Sequence, residues 1–200
     1  MDIEINIPSF KSIREEAKRI KTESGKVIDR AIKDVCVRGP SQVTKAVTGA
    51  YGIKSSEVTR AGKSAKGGAK TVGKIKVSGT SLNTMQLVYS GPRLPIYYFG
   101  MTPKSRPEPG KKYTVRAAIK KSQKKKMPTG TFLAPAAGAG TTEIAFKRET
   151  KKRLPVEAIK TVAIPQMITN EKVADEISTM LDELLQKRVD HYLERIEFVE

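Results

Sequence analysis

Between residues 170 and 200, the apolar positions Val173, Ile177, Met180, Leu181, Leu184, Leu185, Val189, Tyr192 and Ile196 recur at three- and four-residue steps. That period belongs to a long amphipathic helix, whose apolar stripe has to be covered by a sheet or by another subunit. Thr169 or Asn170 is placed to cap it, and Glu171, Asp175 and Glu176 suit its positive N-terminal dipole. The rest of the fold must supply a cover for this stripe.

The stretch that delivers the chain to this helix runs from Arg148 to Ile168. It joins a basic edge, Arg148, Lys151, Lys152 and Arg153, to two proline-punctuated apolar steps, Leu154-Pro155-Val156 and Ala163-Ile164-Pro165. Such a segment reads as a docking connector. Its basic edge continues a global imbalance: the chain carries 38 Lys and Arg against 21 Asp and Glu, a formal charge of +17. Residues 170–200 hold nine acidic and four basic side chains, leaving a net +22 on residues 1–169. A basic body with an acidic helix points to a polyanion or an acidic neighbour as partner, with a merely solvated basic surface as the alternative.

Asp2 to Ile7 alternates like a strand, and Pro8 ends it, with Ser9 available as the next cap. From Phe10 to Val37 the residues Ile13, Ala17, Ile20, Val27, Ile28, Ala31, Ile32 and Val35 share one helical face. Gly39-Pro40 is expected to break this helix, Ser41 to start a short one through Val47, and Glu57–Ala61 to form a third. The single Cys36 excludes an internal disulfide and is expected to be a small buried hydrophobe. The acidic N-terminus does not read as a secretory signal, and no apolar run approaches a membrane span, so the expectation is a chain made in the cytoplasm and not inserted in a membrane.

Residues 62–74 form a Gly/Lys-rich linker containing Gly68-x4-Gly73-Lys74, close to a phosphate-binding loop. That loop requires a Ser or Thr after the lysine and a helix beyond it. Here Ile75 follows, opening a strand-like Lys74–Ser78, so a flexible basic loop is the better reading and no nucleotide or other cofactor is expected. Strand character recurs at Ile75–Val77, Met85–Tyr89, Leu94–Phe99 and Tyr113–Ala118, and again in Phe132–Pro135 and Glu143–Arg148, with residues 136–140 as the turn between the last two. Tyr97 and Tyr98 have the chemistry to stack on bases, but core-to-surface alternation of a strand explains them more compactly. Lys120, Lys121, Lys124, Lys125 and Lys126 crowd a hairpin tip or extended arm, suited to salt-sensitive, sequence-blind attraction to phosphate.

Convergent catalytic groups are scarce. His191 is the only histidine and lies on the polar side of the last helix, which leaves no material for a histidine triad or a histidine-rich metal site. Glu15 with Arg19 and Glu183 with Lys187 are spaced as helical surface pairs. The expectation is a protein that is not an enzyme, without metal.

Arg153-Leu154-Pro155-Val156 followed by Ile164-Pro165-Gln-Met and a long C-terminal helix, with a K-I-K-V strand and L-P-I upstream, resembles the minor tail protein Z family of tailed bacteriophages and prophages. This chain has Thr161-Val162-Ala163 where many relatives carry a Gly-Pro-Ser-like turn. The resemblance implies a structural virion protein acting at the head-proximal end of a long tail, completing the tail or joining it to the capsid. It also implies an α+β fold, a homo-oligomeric ring, commonly a hexamer, and tail or neck proteins as partners, with DNA passing nearby. The competing reading is a basic nucleic-acid-binding module similar in charge to small ribosomal proteins.

The expected architecture is therefore α+β: an N-terminal strand and helical segment over residues 1–61, the linker 62–74, a mostly antiparallel β-rich region over 75–168, and the C-terminal helix 169–200. Candidates for facing DNA or an acidic partner are Lys120, Lys121, Lys124–Lys126, Arg148, Lys151, Lys152 and Arg153. Candidates for a subunit interface are Leu154, Pro155, Val156, Ile164, Pro165, Ile177, Leu181 and Leu184.

Overall fold

A computed structural model describes residues 2–5, 23–60, 74–78, 86–135 and 142–197. The chain is α+β, with a long helix near each end and small antiparallel sheets between them. Helix α1 covers Glu23–Ala50, α2 Ser55–Arg60, α3 Ile164–Ile168 and α4 Glu171–Glu197. The strands are β1 Asp2–Ile5, β2 Lys74–Ser78, β3 Gln86–Ser90, β4 Arg116–Lys120, β5 Gln123–Lys126, β6 Phe132–Pro135, β7 Glu143–Arg148 and β8 Val156–Ala158. They form three sheets, ordered β1-β3-β2, β4-β5 and β6-β7-β8, where one central sheet was expected. The expected helix over Phe10–Ile20, the Glu15–Arg19 pair, the residues Gly68–Gly73 and the 136–140 turn lie outside the described residues.

The C-terminal stripe is covered from within the chain. Val173, Ile177, Leu181 and Leu185 are buried against Ile28, Ala31, Ile32, Val35, Val43, Ala46 and Val47 of α1. The two helices run antiparallel, since Asp34 meets Arg188 and Tyr192 while Gly39 approaches Leu181. Asn170 begins α4 as anticipated, its carbonyl accepting from the amides of Val173 and Ala174 at 2.9 and 2.8 Å. At the other end of the pair, the Tyr192 hydroxyl donates to Asp34 at 3.2 Å, and Arg188 lies 3.7 Å from the same carboxylate.

Gly39-Pro40 does not end the first helix. Proline removes an amide donor from the helical ladder, at a cost of about 3 kcal/mol. Continuing the helix buries Val43, Ala46 and Val47 completely, and each such side chain is worth about 1–3 kcal/mol. Burial wins, and Thr44 returns its hydroxyl to the Pro40 carbonyl at 2.8 Å. Gly39 marks the closest approach of α1 to its neighbours, because a β-carbon there would sit 3.2 Å from Leu87 and 3.3 Å from Leu181. Cys36 is half-buried rather than buried, and Val37 is 78% exposed.

The segment Leu94–Phe99 also departs from expectation. Leu94 and Ile96 do pair extended backbone with Val162, Thr161 and Ile159. The chain then turns into a 3-10 helix at Ile96–Phe99, ended by Gly100 at φ 59°, a conformation that favours glycine. The turn divides its side chains between two cores. Leu94 and Phe99 join the helical core, whereas Ile96 and Met101 join a second one with Val115, Ala117, Leu133 and Ala145. Tyr97 and Tyr98 are accordingly half-buried, their rings 4.0 Å apart, and neither forms an open stacking platform.

Candidate functional site

The lysine run folds into a hairpin, of which it supplies the tip and one whole strand. β4 pairs with β5 so that Arg116 faces Lys126, Ala117 faces Lys125 and Lys120 faces Gln123, with an irregularity between Ala117 and Lys120. Ala117 anchors the ribbon in the second core, but all four residues of β5 are exposed. Lys120, Lys121, Lys124, Lys125 and Lys126 are exposed, as is Arg116. Like charges directly opposite, as at Arg116 and Lys126, destabilise a strand pair. None of these six cations forms an ion pair with a described carboxylate.

This hairpin is seated against the end of α1 and is not a free arm. The Lys121 amide donates to the Ala50 carbonyl at 2.9 Å, and the Gly52 amide donates to Ile119 at 3.1 Å. The Lys121 ammonium reaches the Thr48 carbonyl at 3.4 Å, where the last carbonyls of a helix favour positive charge. Gly52 permits the seat, since a β-carbon there would lie 2.0 Å from the Ala118 carbonyl oxygen. On the other side, Thr102 exchanges backbone hydrogen bonds with Arg116, and its hydroxyl accepts from Lys124 at 2.6 Å. Gly52, Thr48 and Thr102 support the hairpin in a way that periodicity and composition do not identify, because each acts through a contact distant in sequence.

The second basic group occupies the β7–β8 connection. Arg148, Lys151, Lys152 and Arg153 are exposed, and the Arg148 guanidinium lies 4.9 Å from the Phe132 ring centre. Phe132 in turn stacks on Phe146 at 6.1 Å, so this cation rests on a paired aromatic base. The backbone closes between Glu149 and Pro155 at 3.5 Å, with a cis peptide at Leu154-Pro155. Leu154 is 66% exposed, Pro155 is exposed and Val156 is half-buried.

The remaining interface candidates are placed differently. Ile164, Pro165, Ile177 and Leu181 are buried in this chain's own core, and Leu184 is half-buried against it. They are spent on internal packing: the Ile164-Pro165 step builds α3, braced by the Ala163 amide donating to the Gln166 side chain at 3.0 Å. That short helix sets the start of α4. From that set Leu154 and Pro155, and in part Val156 and Leu184, remain as accessible apolar surface.

Burial raises the Cys36 thiol above its ordinary range, which lowers its nucleophilicity. Burial also pushes the Tyr89 and Tyr97 hydroxyls well up, with contact to Tyr98 adding to the effect at Tyr97. Glu183 and Lys187 are both exposed and form no ion pair with each other, so this helical spacing is not used. Among the described residues no group of three His, Cys, Asp or Glu is gathered to hold a metal, and no helix is long and apolar enough to cross a membrane. Compared with known proteins, the chain matches no family model, no curated protein and no solved structure.

Proposed function

We propose that this chain is a non-enzymatic structural protein of a long-tailed bacteriophage, completing the head-proximal end of the tail and helping to join tail to head. In this reading it works in the virion as a ring around the DNA channel, beside other tail and neck proteins. The observation that carries it is the lysine hairpin, a ribbon seated by backbone hydrogen bonds whose six exposed cations form no ion pair with a described carboxylate. Lysine offers a mobile point charge and not a fork that reads base edges, which suits passage of DNA of any sequence. The family resemblance of Arg153–Val156 and Ile164-Pro165 adds to this, since the second motif here orders the approach to α4.

Electron microscopy of the purified protein and of particles carrying a labelled copy tests the reading. The expected result is a ring with a central opening, located at the neck, with weak DNA binding that fades steeply with salt. A monomer that binds one RNA tightly at physiological salt refutes it and favours a basic nucleic-acid-binding module.

A further inference from the structure

The two basic groups differ in chemistry. The hairpin exposes lysines and no large apolar side chain, whereas the β7–β8 connection carries Arg148, Lys151, Lys152 and Arg153, with one carboxylate, Glu149, ahead of Leu154, which is 66% exposed. Arginine beside an exposed leucine is the composition of a protein-binding surface more than of a phosphate track. A complementary surface exists on the same chain. On α4, Glu176, Glu183 and Asp190 recur every seven residues with Glu194 and one lysine, Lys187, beside them, a stripe of four carboxylates and one ammonium turned away from the buried Val173, Ile177, Leu181 and Leu185, and Gln186 donates to Asp190 within it at 2.9 Å. This acidic line is exposed over about 21 Å at the helical rise. Leu193, the exposed apolar residue of α4 at 36%, lies at its far end.

We infer that the β7–β8 connection of one copy docks on the acidic outer face of α4 in a second copy, with Leu154 seated among the side chains near Leu193. This deepens the ring reading given above and rests on it. Both surfaces are exposed in a single copy, so neither is satisfied by the other within the chain. Because the two surfaces are different, the contact is head-to-tail, and repetition closes a ring or extends a filament. Helix α4 thus has two partners: its apolar face belongs to α1, and its acidic face belongs to the neighbour.

Charge reversal on each side separates this contact from the DNA-facing hairpin. One variant carries Lys152→Glu and Arg153→Glu, and the other Glu183→Lys and Asp190→Lys; sedimentation velocity reads assembly, and thermal melting verifies the fold. Each variant alone is expected to self-associate roughly tenfold or more weakly than wild type. An equimolar mixture is expected to reassemble, because each reversed surface then meets its opposite. Assembly of wild-type strength by both single variants overturns the docking but leaves the tail-completion reading intact. A wild-type chain that is monomeric at every concentration overturns both the docking and the ring. Loss of assembly without recovery in the mixture also overturns this pairing of surfaces.

Discussion

Replacing Gly52 by alanine sets one methyl group against the seat of the lysine hairpin. The new β-carbon would stand 2.0 Å from the Ala118 carbonyl oxygen, far inside contact distance, and the obstacle is backbone that has no rotamer to escape into. Either the methyl is accommodated under strain, costing about 1–3 kcal/mol as overpacking does, or the hairpin lifts away. Lifting breaks the Gly52–Ile119 and Lys121–Ala50 hydrogen bonds, worth about 1 kcal/mol each, and exposes part of Ile119. The expected loss is about 2–4 kcal/mol, which for a chain of this size lowers Tm by roughly 5–15 °C. Gly49→Ala supplies the control three residues earlier, in the exposed last turn of α1, with nothing within 4 Å of the added carbon. There alanine should stabilise by about 0.5–1 kcal/mol, through helix propensity. Calorimetry gives the two Tm values, and hydrogen exchange at the Lys121 amide reports the seat directly. Equal melting of Gly52→Ala and wild type, with Lys121 still protected, refutes the account of why the hairpin is held there.

Replacing Lys120, Lys121, Lys124, Lys125 and Lys126 with Gln should leave Tm within a few degrees, while DNA affinity measured across a salt series falls and its log–log slope flattens by about 0.9 for each phosphate no longer neutralised; an unchanged slope means the run is only solvated. Leu181→Ala should cost about 2–5 kcal/mol in denaturant unfolding, because the side chain is fully buried between α4 and α1. Leu154→Ala should stay within about 0.5 kcal/mol of wild type, so equal effects at the two leucines refute the division between core and surface. The Tyr89 hydroxyl is buried without a partner among the described residues, and Tyr89→Phe is expected to be neutral or to stabilise by up to about 2 kcal/mol in thermal melting; a clear destabilisation means the hydroxyl has an unrecognised role. Burial raises the folded-state pKa of that hydroxyl above its unfolded value near 10, so its contribution is fully present below about pH 10 and is lost as pH rises beyond it. The phenylalanine variant should therefore show a shallower alkaline loss of Tm than wild type.

The parts of this fold legible in sequence were those governed by a local period. The α4 stripe, the buried face Val27–Val35 and the paired strands at Phe132 and Glu143 follow from spacing, and Asn170, one of the two capping residues expected, begins α4. Where local signals conflicted with burial, burial decided: Pro40 sits inside α1 because Val43, Ala46 and Val47 gain more from the core than the missing hydrogen bond costs. Composition alone identified the lysine run as unusual. Its support was hidden, because Gly52 and Thr102 meet it through contacts made across tens of residues. The Ile164-Pro165 motif shows a different limit. Apolar and proline content marked it as a contact element, but whether its partner was internal or external depended on which face of α4 stood above it.

The antiparallel pairing of α1 with α4 brings Asp34 to Tyr192 across 158 positions of chain. During synthesis α1 emerges well before its cover, because the whole β-rich region between them is made first. Until then Ile32, Val35, Val43 and Val47 have no permanent shelter, and the cell's chaperones and proteases are expected to recognise that surface. A chain cut short before Glu171 therefore exposes its own incompleteness, and interrupted translation is expected to yield fragments marked for removal.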